Sequence, residues 1–120
     1  MDGEAALAWC RERPGSVEDF PFGPDARVFK VGGKMFAIFP PQPAPAEVSL
    51  KCDPGLAQQL RAEHPGIVPG YHLNKRHWNT VPLDGSLPAG LVEDLLGHSY
   101  TVVVDALPRA SREALRPTAE

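Results

Sequence analysis

Between Pro69 and Thr80 the chain reads Pro-Gly-Tyr-His-Leu-Asn-Lys-Arg-His-Trp-Asn-Thr. Two aromatics, two imidazoles, two permanent cations and two carboxamides fall within twelve residues. Lysine and arginine at 75 and 76 suit phosphate oxygens, Asn74 and Asn79 suit sugar or base edges, and Tyr71, His72 or Trp78 suit stacking on exposed bases. Packing offers a simpler account of the same residues, a hairpin with Tyr71, Leu73 and Trp78 turned inward and the charges solvated at its rim. His72 and His77 could also exchange protons near neutral pH. No HExxH, GxSxG, P-loop or CxxC pattern accompanies them, and no catalytic residue is assigned.

The net charge is −3 and the sequence pI about 5.8, which is not the footprint of a generic nucleic-acid binder. The charges are unevenly placed. From Arg27 to Asn79 seven cations stand against three acids, and the two ends carry five against twelve. A basic middle between acidic ends is compatible with one positive face, to which Lys30, Lys34 and Lys51 would contribute with Lys75, Arg76 and His77.

A chain of 120 residues fits one domain with one core, taken as 1–120. No apolar run approaches the roughly 20 residues of a membrane helix. The opening Met1-Asp2-Gly3-Glu4 lacks a signal-peptide h-region, so a cytoplasmic location is expected. Cys10 and Cys52 fit no metal or redox spacing and read as reduced, packed thiols. Glu18, Asp19 and Asp25 match no calcium loop. His64 and His98 lie toward helix ends. No metal or cofactor is expected.

Spacing predicts a first helix over 4–13, stopped by Pro14-Gly15. An irregular loop over 16–25 follows, anchored by Phe20 and Phe22. Strands over 27–31 and 34–39 flank Gly32-Gly33, a turn with positive φ at both positions, which sets Val31 opposite Lys34 and Phe29 opposite Phe36. The run Pro40–Ala46 reads as a stiff hairpin loop, with a polyproline ligand as the alternative. A third strand over 47–51 carries Glu47, Ser49 and Lys51 on one face and Val48 and Leu50 on the other. Asp53 caps a helix that opens on Pro54, buries Leu56, Ala57 and Leu60, and ends at Pro65-Gly66. Two short strands are expected around Asn74–Arg76. Ser86 is expected to cap a last long helix with Pro88 just inside it and Leu91, Leu95, Ser99 and Val102 on one stripe. A short helix over 111–116 closes the chain. The result is an α+β fold, two layers, a five-stranded antiparallel sheet packed with helices in the order α-β-β-β-α-β-β-α.

Four segments carry a resemblance: Asp19–Pro24, Val28–Ala37, Val48–Pro54 and Pro69–Val81. In that order they make the chain resemble the MmcQ/YjbR family of small bacterial proteins over roughly residues 5–115. The resemblance implies a two-layer α+β fold shaped like type III secretion chaperones and CyaY-like domains. It also implies DNA binding rather than a defined reaction. Two functions from different classes are therefore expected. One is a non-enzymatic nucleic-acid binder using Lys30, Lys34, Lys51, Tyr71, His72, Asn74, Lys75, Arg76, His77, Trp78 and Asn79. The other is a protein-interaction or small-ligand module, a homodimer among its forms, because Phe29 and Phe36 against Val28 and Phe39 would make both sheet faces apolar and one helical layer covers only one.

Overall fold

The computed structural model describes residues 1–70 and 73–115. In chain order the elements are α1 (Gly3–Arg11), β1 (Val17–Asp19), a single 3-10 turn (Gly23–Asp25), β2 (Arg27–Val31), β3 (Lys34–Phe39), β4 (Glu47–Lys51), α2 (Pro54–Glu63), β5 (Val68–Pro69), β6 (Trp78–Pro82), α3 (Ala89–Asp105) and α4 (Arg109–Ala114). The sheet has six strands in the order β1-β2-β3-β4-β6-β5, and every pairing is antiparallel. The fold class is as expected, but the strand count and element order are not.

Two differences account for the sixth strand. The segment read as an irregular loop begins with β1, whose Val17, Glu18 and Asp19 pair with Lys30, Phe29 and Val28. Only three residues precede the prolines, too few for an alternating pattern to register. Phe20 and Phe22 do not anchor this segment in the core, since they are 51% and 53% exposed. Near the polar stretch, the partner of β6 is Val68–Pro69, ahead of the expected position. Asn74 to His77 form a turn, in which the Asn74 carbonyl accepts from the His77 and Trp78 amides.

The hairpin turn is as predicted, with φ of +59° at Gly32 and +79° at Gly33, and Val31 pairs with Lys34. Phe29, however, pairs with Ala37 rather than Phe36, because the register shifts at Phe29/Lys30. One extra residue on β3 makes a bulge, which leaves Phe36 unpaired. Phe36, Ala37, Phe39 and Phe29 are all buried in the main core. Their rings still meet, Phe29 with Phe36 at 6.4 Å and with Phe39 edge-on at 5.8 Å, while Phe36 meets Tyr100 of α3 edge-on at 5.3 Å.

Where the bulge opens the ladder between β3 and β4, Ser99 of α3 fills the gap. Its Oγ donates to the Phe36 carbonyl at 2.6 Å and accepts from the Lys51 amide at 2.9 Å. A helical hydroxyl thus satisfies two strand groups that would otherwise be buried without partners. α3 lies across β3 and β4 and buries Val92, Leu95, Leu96, Ser99 and Val103. Asp53 caps α2 as expected, its Oδ2 accepting from the Leu56 amide. Ser86 does not cap α3. Its amide donates to Asp84 Oδ1 within the preceding turn, and Pro88 occupies the position before the helix without a side-chain cap. The last helix spans 109–114 rather than 111–116. Among the described residues no helix is long and apolar enough to cross a membrane.

Candidate functional site

Strand alternation assigns every side chain of the sheet to one of two faces. On the helical side the ladder brings Glu18, Phe29, Ala37, Leu50, Asn79 and Pro69 into one row across all six strands. On the other side the matching row is Asp19, Val28, Ile38, Ser49, Thr80 and Val68. The helices cover the first face. The second carries a cleft of about 410 Å³.

Ile38, Ser49 and Thr80 form the cleft floor, and the Ser49 and Thr80 hydroxyls are hydrogen-bonded to each other at 2.9 Å. Phe22 and Asp25 come from the segment before β2, and Leu73 from the segment before β6. Ala26, Phe39, Pro40 and Glu47 line the end where β2 begins and β3 leaves the sheet. The lining is mainly apolar. Its two ionisable groups are both carboxylates, Asp25 and Glu47. Sequence reading missed this cleft because its walls, Phe22 and Asp25 on one side and Leu73 on the other, are far apart in the chain. The signal present was the alternation of β4, which put Ser49 and Glu47 on one face.

The expected basic residues occupy the opposite end of the sheet, Lys30 and Lys51 on this face and Lys34 paired with core-facing Val31. Lys30 lies two positions beyond Val28, and Lys51 two beyond Ser49 opposite Trp78. Lys34 sits at the adjoining hairpin turn, and Lys75, Arg76 and half-buried His77 at the turn entering β6. The cations therefore share one end of the sheet, spread over four strands, or about 14 Å at the usual strand spacing. Lys30 is paired with Asp19 at 3.1 Å. That ammonium, with the Phe20 amide, holds the Asp19 carboxyl below the usual carboxylate range.

The polar and aromatic partners of these cations are engaged within the fold. Asn79 is 2% exposed. Its Nδ2 donates to the Ala57 carbonyl and its Oδ1 accepts from Arg61 Nη1, which ties β6 to α2. Arg61 also donates to the Lys75 carbonyl. Asn74 Oδ1 accepts from the Arg76 amide. Trp78 is 7% exposed, with the Gly70 backbone so close that a Cβ there would stand 2.9 Å from the Trp78 Cβ. Trp78 and Asn79 would have to leave these environments to meet a base. Tyr71 and His72 lie outside the described residues.

Both cysteines are free and buried. Burial pushes the Cys10 thiol up to about 12 and the Cys52 thiol up to about 11, where the neighbouring Asp53 carboxylate adds to the effect. Neither is a thiolate at neutral pH, so neither is poised as a nucleophile. Among the described residues no group of three or more His, Cys, Asp or Glu side chains could hold a metal ion.

A family model described as YjbR matches residues 11–102. The uncharacterised protein YjbR of Escherichia coli K12 is 38% identical over 109 residues, covering 91% of this chain and 92% of its own length. The uncharacterised protein YbdF of Escherichia coli O157:H7 is 37% identical over 114 residues, covering 95% and 93%. Among solved structures, Deinococcus radiodurans protein DR2400 superposes with a TM-score of 0.82 at 45% identity, covering 90% of this chain and 83% of that one. A Pseudomonas syringae protein superposes with a TM-score of 0.72 at 28% identity, covering 86% and 99%. The chain belongs to the YjbR family.

Proposed function

We propose that this YjbR-family chain is a non-enzymatic binding module and that its binding face is the side of the sheet opposite the helices. The observation that carries this reading is the cleft of about 410 Å³ over Ile38, Ser49 and Thr80. Its size and lining match those of ligand sites, which are concave, mostly apolar and furnished with a few placed polar groups. Apolar side chains also stand exposed at the margins of the sheet. Phe20 and Phe22 lie beyond β1, and Val17 and Val68 lie on the two edge strands at 59% and 46% exposure.

Screening a small-fragment library by amide chemical-shift mapping tests the reading. Hits are expected to move the Ile38, Ser49 and Thr80 resonances and to lose that effect in Ser49→Phe, which fills the floor. Hits confined to the helical side, or none at all, would overturn it.

A second reading, nucleic-acid binding, is supported by the cations gathered at one end of the sheet. In that reading Lys34, Lys51, Lys75 and Arg76 contact phosphates, while Trp78 and Asn79 hold the fold. Anisotropy titrations with labelled single- and double-stranded DNA at two salt concentrations test it. Lys75→Ala/Arg76→Ala should weaken binding and lower the salt slope by about two charges' worth. Unchanged binding in the double variant would remove these residues from the interface.

A further inference from the structure

We propose that the cleft takes an organic cation, an apolar body whose ammonium or guanidinium group meets the carboxylates of Asp25 and Glu47. This rests on the reading of the helix-free face as the binding face, and it deepens that reading by naming the ligand chemistry.

Charge placement across the face is the first argument. Lys30 and Lys51 lie at one end of the sheet, whereas the cleft sits at the other, and no cation is among its lining residues. An anion in the cleft would meet two carboxylates and nothing to neutralise it. A cation would meet both. Among the described residues, neither Asp25 nor Glu47 has an ion-pair or side-chain hydrogen-bond partner within the chain, unlike Glu18 and Asp19, which are paired with Arg11 and Lys30. The two acids at the cleft are thus available to a ligand, while the two acids on β1 are already neutralised.

The apolar lining is the second argument. Ile38, Pro40 and Leu73 offer a surface on which a hydrocarbon body leaves water, and Phe22 at the mouth offers an aromatic ring to a cation. An inorganic cation would gain nothing from this lining. The floor adds a polar contact. The mutual bond between the Ser49 and Thr80 hydroxyls uses one of their two O–H groups, and among the described residues no acceptor takes the other. That proton is free to meet an acceptor on the ligand body.

The test compares three probes with one aromatic body: 2-phenylethylamine, 2-phenylethanol and 3-phenylpropionate. Amide shifts of Ile38, Ser49 and Thr80 are followed in the wild-type chain and in Asp25→Asn/Glu47→Gln. Both substitutions are on exposed side chains, so the fold is retained, and the spectrum itself checks this. The amine is expected to bind about fivefold or more tighter than the alcohol, with the carboxylate weakest, a ratio that corresponds to about 1 kcal/mol. In the double variant the amine should fall to the level of the alcohol.

Equal binding of all three probes, or an unchanged amine in the variant, would overturn the cation while leaving the face as a binding surface. If no probe reaches the cleft but library fragments do, the cation inference falls alone. If neither reaches it, both readings fall together.

Discussion

Asn79 follows Trp78 on β6, and alternation turns its side chain to the helical layer, where Arg61 and the Ala57 carbonyl satisfy it. In the sequence this residue looked like a surface carboxamide beside a basic pair. The pattern gives the face on which a side chain lies but not what packs over that face, so a buried asparagine and a ligand-reading one look the same. Asn79→Ala would strand an arginine donor and a backbone carbonyl, at a cost of about 1–3 kcal/mol. Urea unfolding should show that loss. A variant as stable as wild type would mean that these bonds are replaced by water. The cysteines are a case the sequence did reveal, since isolated cysteines without a partner motif read as packed thiols. Their burial has a pH consequence. The folded values, about 12 for Cys10 and about 11 for Cys52, lie above the ordinary 9.0. Below pH 9 both states hold these protons and the thiols leave stability unaffected by pH. Above it the unfolded chain releases protons that the folded chain keeps, so stability falls with rising pH, by about 1.4 kcal/mol per unit for each thiol, until the folded values are reached. Cys10→Ala should make the alkaline slope of unfolding free energy shallower by one such increment. An unaltered slope would show that the Cys10 thiol ionises as readily folded as unfolded.

The strands and α2 followed from alternation, Gly32-Gly33 and the Asp53-Pro54 start signal, all of which are local. What escaped were features set by contacts between elements. The bulge leaves the Phe36 carbonyl to Ser99, which lies 63 positions away and bridges it to the Lys51 amide. The sequence placed Ser99 on the buried stripe of α3 but gave no partner for its hydroxyl. The proline-rich segment is similar. Pro45 is buried against the start of α1, where a Cβ on Gly3 would collide with the Pro45 carbonyl oxygen. That contact makes Pro45 part of the packing, while Pro41, Gln42, Pro43 and Ala44 stay exposed. Removing the bridge from the first of these should loosen the join between α3, β3 and β4. Ser99→Ala strips a partner from both the Phe36 carbonyl and the Lys51 amide and is expected to cost about 1–3 kcal/mol. Hydrogen exchange provides the specific reading, because the Lys51 amide should lose protection by more than the global change. If Lys51 and a distant core amide such as Phe29 change equally, the hydroxyl is not holding the ladder.

Charge and apolar surface are distributed over the molecule in a way composition only hinted at. The basic middle becomes a basic end because β2 and β4 run the same way and the turn into β6 lies beside their C-termini. Glu47, counted within that middle, sits at the far end beside the cleft, since β4 is long enough to separate it from Lys51. The helical side closes over Phe29, Phe36 and Phe39, while Val17, Phe20 and Val68 remain about half exposed. If the helix-free face, with Val17 and Val68, and the segment beyond β1, with Phe20, are open in the free chain, these three side chains stabilise the fold very little. The combined variant Val17→Ser/Phe20→Ser/Val68→Ser should then unfold within about 0.5 kcal/mol of wild type per site, with an unchanged urea m value. Phe36→Ala, on the closed side, should cost about 3–5 kcal/mol. A triple variant as damaged as Phe36→Ala would mean that something already covers this face in solution, and sedimentation of the wild-type chain would then show a species heavier than 13.0 kDa. With the triple variant stable and monomeric, the exposed residues are free to serve whatever the cleft binds.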